Sequence, residues 1–508
     1  MANDEYGDFQ TPSALAEQIF RLVDGKSFSK VLEPTCGLGV FLKVASEMSP
    51  TSERFGLELQ EEYCESASEF GTVLSGDALT FNFRSEIRWQ NENPLLIIGN
   101  PPWVTNAELT SMGSTNKPET NNLRNLSGLD ALTGSSNFDI AEFILIRLIE
   151  QFQGTETKLA FLCKTQVLRN LLSYCSQKKL NFGEVEVFKI DAQLWFEASV
   201  DACLFVATIN PSVVSDYKAV VFEELDRNSP NKTIGIIQGK LVSNIENYEL
   251  ISSVDGTSPV TWRQGIKHDA SAVMELVSNS TLSTKSGMEV DIEPEYVYPM
   301  LKCTDVYRGR IIANSKSMIV PQQHTGENTA LLSTIAPKLY NYLSANSEAL
   351  DSRKSSIYKN RSRFCIFGVG EYSFLPYKVA ISAMHKEPVF QLVGPINRKP
   401  VVFDDVCYFT SFDDPIEASI TAALLQSSEC LSFIDSISFK DSKRPITKKL
   451  LQRIDLMQLA TLCNQELICL SSNTLLEQIG IKKEISSIQE VFQALQNKWV
   501  SQKNITLI

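Results

Sequence analysis

The run Pro94-Leu95-Leu96-Ile97-Ile98-Gly99 is apolar almost end to end and stops at Asn100-Pro101-Pro102-Trp103. A short apolar run of this kind reads as a buried strand. Two consecutive prolines fix φ and supply no backbone donor, so the strand ends there in a rigid turn. The tetrapeptide therefore sets an amide, a stiff turn and a flat ring at the carboxyl edge of a sheet.

The flanking sequence supplies that sheet. Across the first ~245 residues apolar strands alternate with helical patterns, as in a parallel α/β sheet. Val31-Leu32 enters a glycine-bearing turn, Arg54 to Leu59 reads as a second strand, and Thr72-Val73-Leu74 leads into Gly76-Asp77. After the strand Leu95 to Ile98 come a helical pattern from Ile140 to Phe152, a strand Lys158 to Leu162, and later strands Glu184 to Ile190 and Ala202 to Ile209. Thr105 to Asn137 is polar, rich in Ser, Thr, Asn and Gly, and without a strong period, which marks a long functional or mobile loop. Past ~245 the alternation fades into short mixed segments, which suggests a second domain of α+β type. The spacing of Ile485, Ile488, Val491, Phe492, Leu495 and Trp499 predicts a core-facing helix. The expected domains are 1–245 and 246–508, and 508 residues give both ample core.

Composition narrows the function classes. No apolar stretch approaches the ~18 residues that span a bilayer, and the acidic start Met1 to Asp8 is unlike a signal peptide. Eleven cysteines are scattered, none in a CxxC pair, which fits reduced thiols and a cytoplasmic location. With only three histidines and no His/Cys cluster, no metal site is expected. The net charge of −13 argues mildly against a nucleic-acid partner, but residues 301–460 carry 20 Lys/Arg against 15 Asp/Glu. A basic region on an acidic chain is compatible with a DNA face.

The segment Leu32-Glu33-Pro34-Thr35-Cys36-Gly37-Leu38-Gly39-Val40-Phe41-Leu42 follows a strand and opens a helix. Gly37 and Gly39 let the backbone approach a ligand closely. The third glycine of a dinucleotide fingerprint is missing, because position 42 is Leu. Glu33 leads the turn, and a carboxylate there can bind a cationic ligand directly or through water. Glu58 closes the second strand, where an acid accepts from ribose hydroxyls, and Asp77 follows the third, where it can accept from an adenine amino group. Acids at three successive strand ends describe a nucleoside site with no phosphate cradle. S-adenosyl-L-methionine, with adenine, ribose and an amino acid but no phosphate, is such a ligand.

Gln10-Thr11-Pro12, then Glu33-Pro34-Thr35-Cys36-Gly37-Leu38-Gly39, Glu58, Asp77 and Asn100-Pro101-Pro102-Trp103, resembles the gamma class of amino-DNA methyltransferases in order and spacing across about the first 210 residues. Asn137 to Phe143 resembles that family's next helix, and Trp195-Phe196-Glu197-Ala198-Ser199-Val200 its late motif whose aromatic touches the target base. Thr35 and Leu38 stand where the family more often has Ala or Gly, and Ala78 where it usually has Phe. The resemblance implies a Rossmann-like S-adenosylmethionine-dependent methyltransferase domain followed by an α+β target-recognition domain. It implies methylation of the N6 amine of a flipped-out adenine in double-stranded DNA, with a separate restriction endonuclease as a plausible partner. Asn100 and the carbonyl of Pro101 would accept the amino hydrogens, Pro102 would stiffen the turn, Trp103 would stack on the base and Phe196 would touch it from another side. Thr11, Glu33, Thr35, Gly37, Gly39, Glu58 and Asp77 would hold the cofactor. In the second domain Lys354, Lys359, Arg361 and Arg363 are the first choice for DNA contact, with Arg308, Arg310, Arg398, Lys399, Lys443 and Arg444 behind them. The same chemistry on cytosine N4, RNA or protein glutamine, and an NAD-binding protein without methylating activity, are the rival readings.

Overall fold

The computed structural model describes residues 10–104, 139–228, 230–279, 281–312 and 315–506, in two units, Met1–Glu246 and Asn247–Ile508. Thr105 to Asn137, and the start of the motif at Asn137-Phe138, lie outside the described residues.

In the first unit ten strands form one sheet: β1 (Lys30–Glu33), β2 (Glu53–Glu58), β3 (Thr72–Ser75), β4 (Leu95–Gly99), β5 (Thr157–Lys164), β6 (Gly183–Ile190), β7 (Ala202–Ile209), β8 (Lys218–Phe222), β9 (Pro230–Ile237) and β10 (Lys240–Val242). Their order is β10-β9-β8-β6-β7-β5-β4-β1-β2-β3. β1 and β4 are buried at every position, as central strands of a helix-covered parallel sheet must be. Leu96, Ile98, Ala160, Leu162, Leu204 and Val206 share one face, packed against α1 (Ser13–Leu22) and α2 (Val40–Met48). The alternate residues Ile97, Leu159 and Phe161 are equally buried, so the opposite face is covered too. The helix α3 (Glu61–Ala67) joins β2 to β3. The helix α4 (Ile140–Gln151) starts at Asp139, whose carboxylate accepts from the Ala141 N–H at 3.0 Å and pairs with Lys164 at 3.0 Å. Capping an orphan N–H and placing an anion at the helix N-terminus both favour starting there. The helix α5 (Thr165–Lys178) follows β5.

β1 pairs in parallel with both β2 and β4, yet the chain reaches those neighbours in opposite directions. Ligands of open α/β sheets bind in the crevice at the carboxyl ends of such a strand pair. The parallel pattern expected from the sequence holds from β3 to β5. β7 instead lies between β5 and β6, antiparallel to both. The link from β6 to β7 holds only a five-residue helix, α6 (Ala192–Phe196), too little chain for a parallel crossover. Beyond the strands expected from the sequence, β8 to β10 extend the sheet past β6. β9 and β10 form a hairpin around Gln238-Gly239, both at positive φ, the backbone of a tight two-residue hairpin turn.

The second unit holds β11 (Arg263–Gln264), β12 (Glu275–Ser278), β13 (Leu282–Thr284), β14 (Val297–Leu301), β15 (Lys316–Ile319), β16 (Tyr377–Ser382), β17 (Phe390–Val393), β18 (Val402–Phe403) and β19 (Cys407–Phe412). They form an antiparallel sheet β11-β19-β16-β17 and a mixed sheet β13-β12-β15-β14-β18. The helix α7 (Pro415–Leu425) is buried nearly all round, against α8 (Gln465–Gln478) and α9 (Ile485–Thr506). Ile488, Phe492, Leu495 and Trp499 of α9 face the core as their spacing predicts, while Ile485 is exposed. No described helix is long and apolar enough to cross a membrane, and all eleven cysteines are free.

The turn from β1 to α2 uses Gly37 at φ +50° and Gly39 at φ +76°. A Cβ on Gly39 would stand 2.8 Å from the Ala67 Cβ at the end of α3, closer than carbon atoms can approach. Gly39→Ala therefore combines a left-handed backbone with a clash and should cost about 1–3 kcal/mol. A fall in the urea unfolding midpoint with unchanged slope is the expected result.

Candidate active site

The cleft at the carboxyl ends of β1, β2 and β4 has a volume of roughly 990 Å³, its open mouth included. Of the residues singled out in the sequence, Thr11, Glu33, Thr35, Gly37, Glu58, Asp77, Asn100 and Pro102 line it. Gly39, Pro101, Trp103 and Phe196 do not. Gly39 serves the close approach of α2 to α3, and Pro101 is buried.

Glu58 organises the floor. Its Oε2 accepts from the Gly37 N–H at 2.8 Å and its Oε1 from the Gln60 N–H at 2.9 Å. The Cys36 N–H donates to the Leu57 carbonyl at 2.9 Å, so the glycine turn is pinned to the end of β2. The Gly37 N–H is thereby committed to a carboxylate and is not free to cradle a phosphate. Asp77 holds its own turn, its Oδ1 accepting from the Leu79 N–H at 2.9 Å.

Glu33 is 2 % exposed, and its Oε2 accepts from the Leu42 N–H at 3.1 Å. Leu42 lies in the first turn of α2, whose cap residue Gly39 has no side chain, so Glu33 satisfies a helix-terminal donor from the neighbouring strand. Burial raises the Glu33 carboxyl well above the ordinary glutamate range. Hydrogen bonds from the Leu42 and Phe41 backbone oppose that rise, and the Glu58 charge adds to it. Desolvation wins. Burial, with Glu33 and Glu58 nearby, also pushes the Cys36 thiol up, which keeps it protonated and unsuited to act as a nucleophile.

The cleft thus presents three acidic side chains, Glu58 and Asp77 with the buried Glu33 whose charge desolvation disfavours, and, among its described lining residues, no Lys, Arg or His. Such a wall repels phosphates and suits a cationic, phosphate-free ligand. Leu59, Leu79, Val104, Ile140 and Ile144 give it apolar surface for a flat ring. The Thr35 hydroxyl is buried there without a hydrogen-bond partner among the described residues, a position that a polar ligand would satisfy. Among the described residues no cluster of His, Cys, Asp or Glu could hold a metal ion.

At the end of β4 the Asn100 Nδ2 donates to the Thr11 hydroxyl at 3.3 Å. This link joins the first motif of the chain to the tetrapeptide, and neither local pattern announces it. Trp103 and Phe196 meet edge to face, centroids 5.1 Å apart at 68°, in the core cluster under α1. They are 4 % and 8 % exposed, so the structure brings the two aromatics together but sets both behind the cleft wall.

In the second unit Lys354, Lys359, Arg361 and Arg363 are all exposed. Arg363 makes two hydrogen bonds of 3.1 Å from Nε to the Asp351 carboxylate, so its charge is largely offset. Arg353, in the same basic stretch, holds the loop: it donates to the carbonyls of Leu350, Cys365 and Arg363 and lies 3.8 Å from the Tyr358 ring centroid. Lys399 is similarly occupied by the Val297 carbonyl at 2.9 Å. Lys354, Lys359 and Arg361 make no ion pair among the described residues.

No family model matches the chain. The type II methyltransferase M.NspV from Nostoc is 40 % identical over 469 residues, spanning 90 % of this chain and 97 % of that protein. Among solved structures, the type IIL restriction-modification enzyme MmeI in complex with DNA aligns over 96 % of this chain and 76 % of its own, with a TM-score of 0.50 at 13 % identity. That likeness bears on the fold.

A carboxyl whose pKa burial has raised leaves the fold undisturbed below the ordinary glutamate range, and costs stability as pH rises through the elevated value. Glu33→Gln keeps an acceptor for the Leu42 N–H and removes the buried charge. Without ligand, its melting temperature should exceed the wild type's at pH 8, and the gap should close toward pH 4. Thermal melts across that range measure it.

Proposed function

The chain belongs to the type II DNA methyltransferases, the modification enzymes of restriction-modification, and on that premise we propose that it methylates the N6 amine of adenine in duplex DNA. The cofactor is S-adenosyl-L-methionine, which when bound supplies an electrophilic methyl group on a sulfonium. In this reading Glu58 holds its ribose hydroxyls, Asp77 its adenine amine and the Leu79, Ile140 and Ile144 surface its ring. Glu33 faces the cationic end of the ligand, and Thr35 gains a partner from it.

The observation that carries the reading is the place of Asn100: at the carboxyl end of β4, on the wall of the acidic cleft. An aromatic amine is a poor nucleophile because its lone pair is delocalised into the ring. Accepting its hydrogens favours a pyramidal nitrogen with the lone pair aimed at the methyl group. The Asn100 side-chain oxygen and the Pro101 carbonyl are suited to accept them, and the prolines hold the backbone fixed. Positioning and preorganised acceptors supply the rate.

An adenine inside a duplex must be flipped out, at a cost of a few kcal/mol. Stacking on an aromatic offsets about 1–3 kcal/mol per base. For Trp103 or Phe196 to offer a face, their edge contact must open, which forfeits about 0.5–1.5 kcal/mol beyond area burial. Stacking is of the same order as that loss, so a base would take the place of the partner ring against Trp103 or Phe196. We assign DNA recognition to the second unit, with Lys354, Lys359 and Arg361 ahead of the paired Arg363. A separate endonuclease that cuts the unmethylated site would complete the restriction-modification pair.

Asn100→Ala should lower transfer of labelled methyl to duplex DNA by about 10²–10³-fold or more, with affinity for S-adenosylhomocysteine kept within about threefold. Activity near wild type would remove Asn100 from the chemistry. Replacing Lys359 and Arg361 together by Ala should weaken DNA binding and reduce the slope of log affinity against log salt by about 2. An unchanged slope would place the phosphate contacts elsewhere.

A further inference from the structure

We propose that Thr11 is a positioning residue that orients the Asn100 amide, a role distinct from holding the cofactor. The proposal rests on the assignment of Asn100 as the acceptor of the target amine. The prolines after Asn100 fix the backbone but leave its side-chain torsions free. A primary amide has a donor end and an acceptor end, and only the acceptor end serves an amine that donates its hydrogens and gives up one of them as the methyl group arrives. The Asn100 Nδ2 donates to the Thr11 hydroxyl at 3.3 Å, across 89 residues of chain. Holding the donor end there fixes the acceptor end, Oδ1, which is buried beside the cleft that both residues line.

Thr11 is built to hold still. It is 9 % exposed, a β-branched residue with restricted χ1, and is followed directly by Pro12 at the start of α1. Leu15, Ala16, Ile19 and Phe20 of that helix are fully buried against the sheet, so the hydroxyl is anchored to the core. A hydroxyl is both donor and acceptor. The same group therefore holds an aspartate at position 100 by donating to it, and Asn100→Asp should keep partial activity that depends on Thr11.

The test measures single-turnover methyl transfer at saturating cofactor and DNA, with the Kd for S-adenosylhomocysteine, in the full-length wild type, Thr11→Val, Thr11→Ser and Asn100→Ala. Thr11→Val should slow transfer by about 10- to 100-fold and shift the Kd by less than about twofold, and Thr11→Ser should recover most of the rate. Weakened S-adenosylhomocysteine binding at an unchanged rate would make Thr11 a cofactor residue and overturn the proposal. A normal rate in Thr11→Val with Asn100→Ala inactive would also overturn it while leaving Asn100 in place, whereas an active Asn100→Ala would remove the premise itself. If circular dichroism shows Thr11→Val unfolded, Thr11→Ala takes its place with the same expected split between rate and affinity.

Discussion

Everything in the first unit follows from β1 and β4 lying side by side, with Leu32 against Ile97, while the chain departs from them to opposite sides. The divergence opens a crevice at their carboxyl ends that neither strand can close. Glu33 and Asn100, the first polar residues past the apolar strand interiors, fall on its two lips. Both strands are buried at every position, and the register that sets Leu32 against Ile97 brings Glu33 and Asn100 to the same edge of the sheet.

The electrostatics of the crevice select its ligand. Common α/β nucleotide sites offer backbone N–H groups to phosphate at a helix N-terminus. Here two such donors are occupied by carboxylates, Gly37 by Glu58 and Leu42 by Glu33. That substitution turns an anion cradle into an acidic cup. It has a cost, since Glu33 is held in a place where burial opposes its charge. A cationic ligand relieves that cost, which couples the stability of the unit to the ligand's arrival. A dinucleotide would meet acidic side chains and, among the described lining residues, no counter-charge, which disfavours the NAD-binding alternative on physical grounds.

The sequence displays the parts of this site that rest on strand ends. Glu58, Asp77 and Asn100 each close an apolar run, and each borders the cleft. It conceals the parts that depend on contacts between distant segments. Thr11 and Asn100 are a local turn residue and a local strand terminator until the fold joins them. Glu33 reads as a ligand acid, but its second task as a cap for α2 depends on Gly39 lacking a side chain to do so. Trp103 and Phe196 look like base-stacking surfaces, and their mutual burial comes from α6 folding back beneath α1. Arg363 looks as available as its neighbours until Asp351, twelve residues earlier, takes its charge. In the fold, β6 and β7 have strand composition whichever way they run, and only the length of their connection reveals that they are antiparallel.

Adenine and cytosine both carry an exocyclic amine on the major-groove edge, and the acceptor pair at Asn100 and Pro101 would serve either. The order of the motifs, with Thr11-Pro12 ahead of the acidic cleft and a large second unit after the tetrapeptide, supports adenine. The most direct measurement is long-read mapping of modified bases in DNA from cells that express the chain, with Asn100→Ala as the paired control. The account predicts N6-methyladenine at one short sequence motif with the wild type and none with the variant. N4-methylcytosine, or DNA without modification beside a methylated protein or RNA, would contradict it.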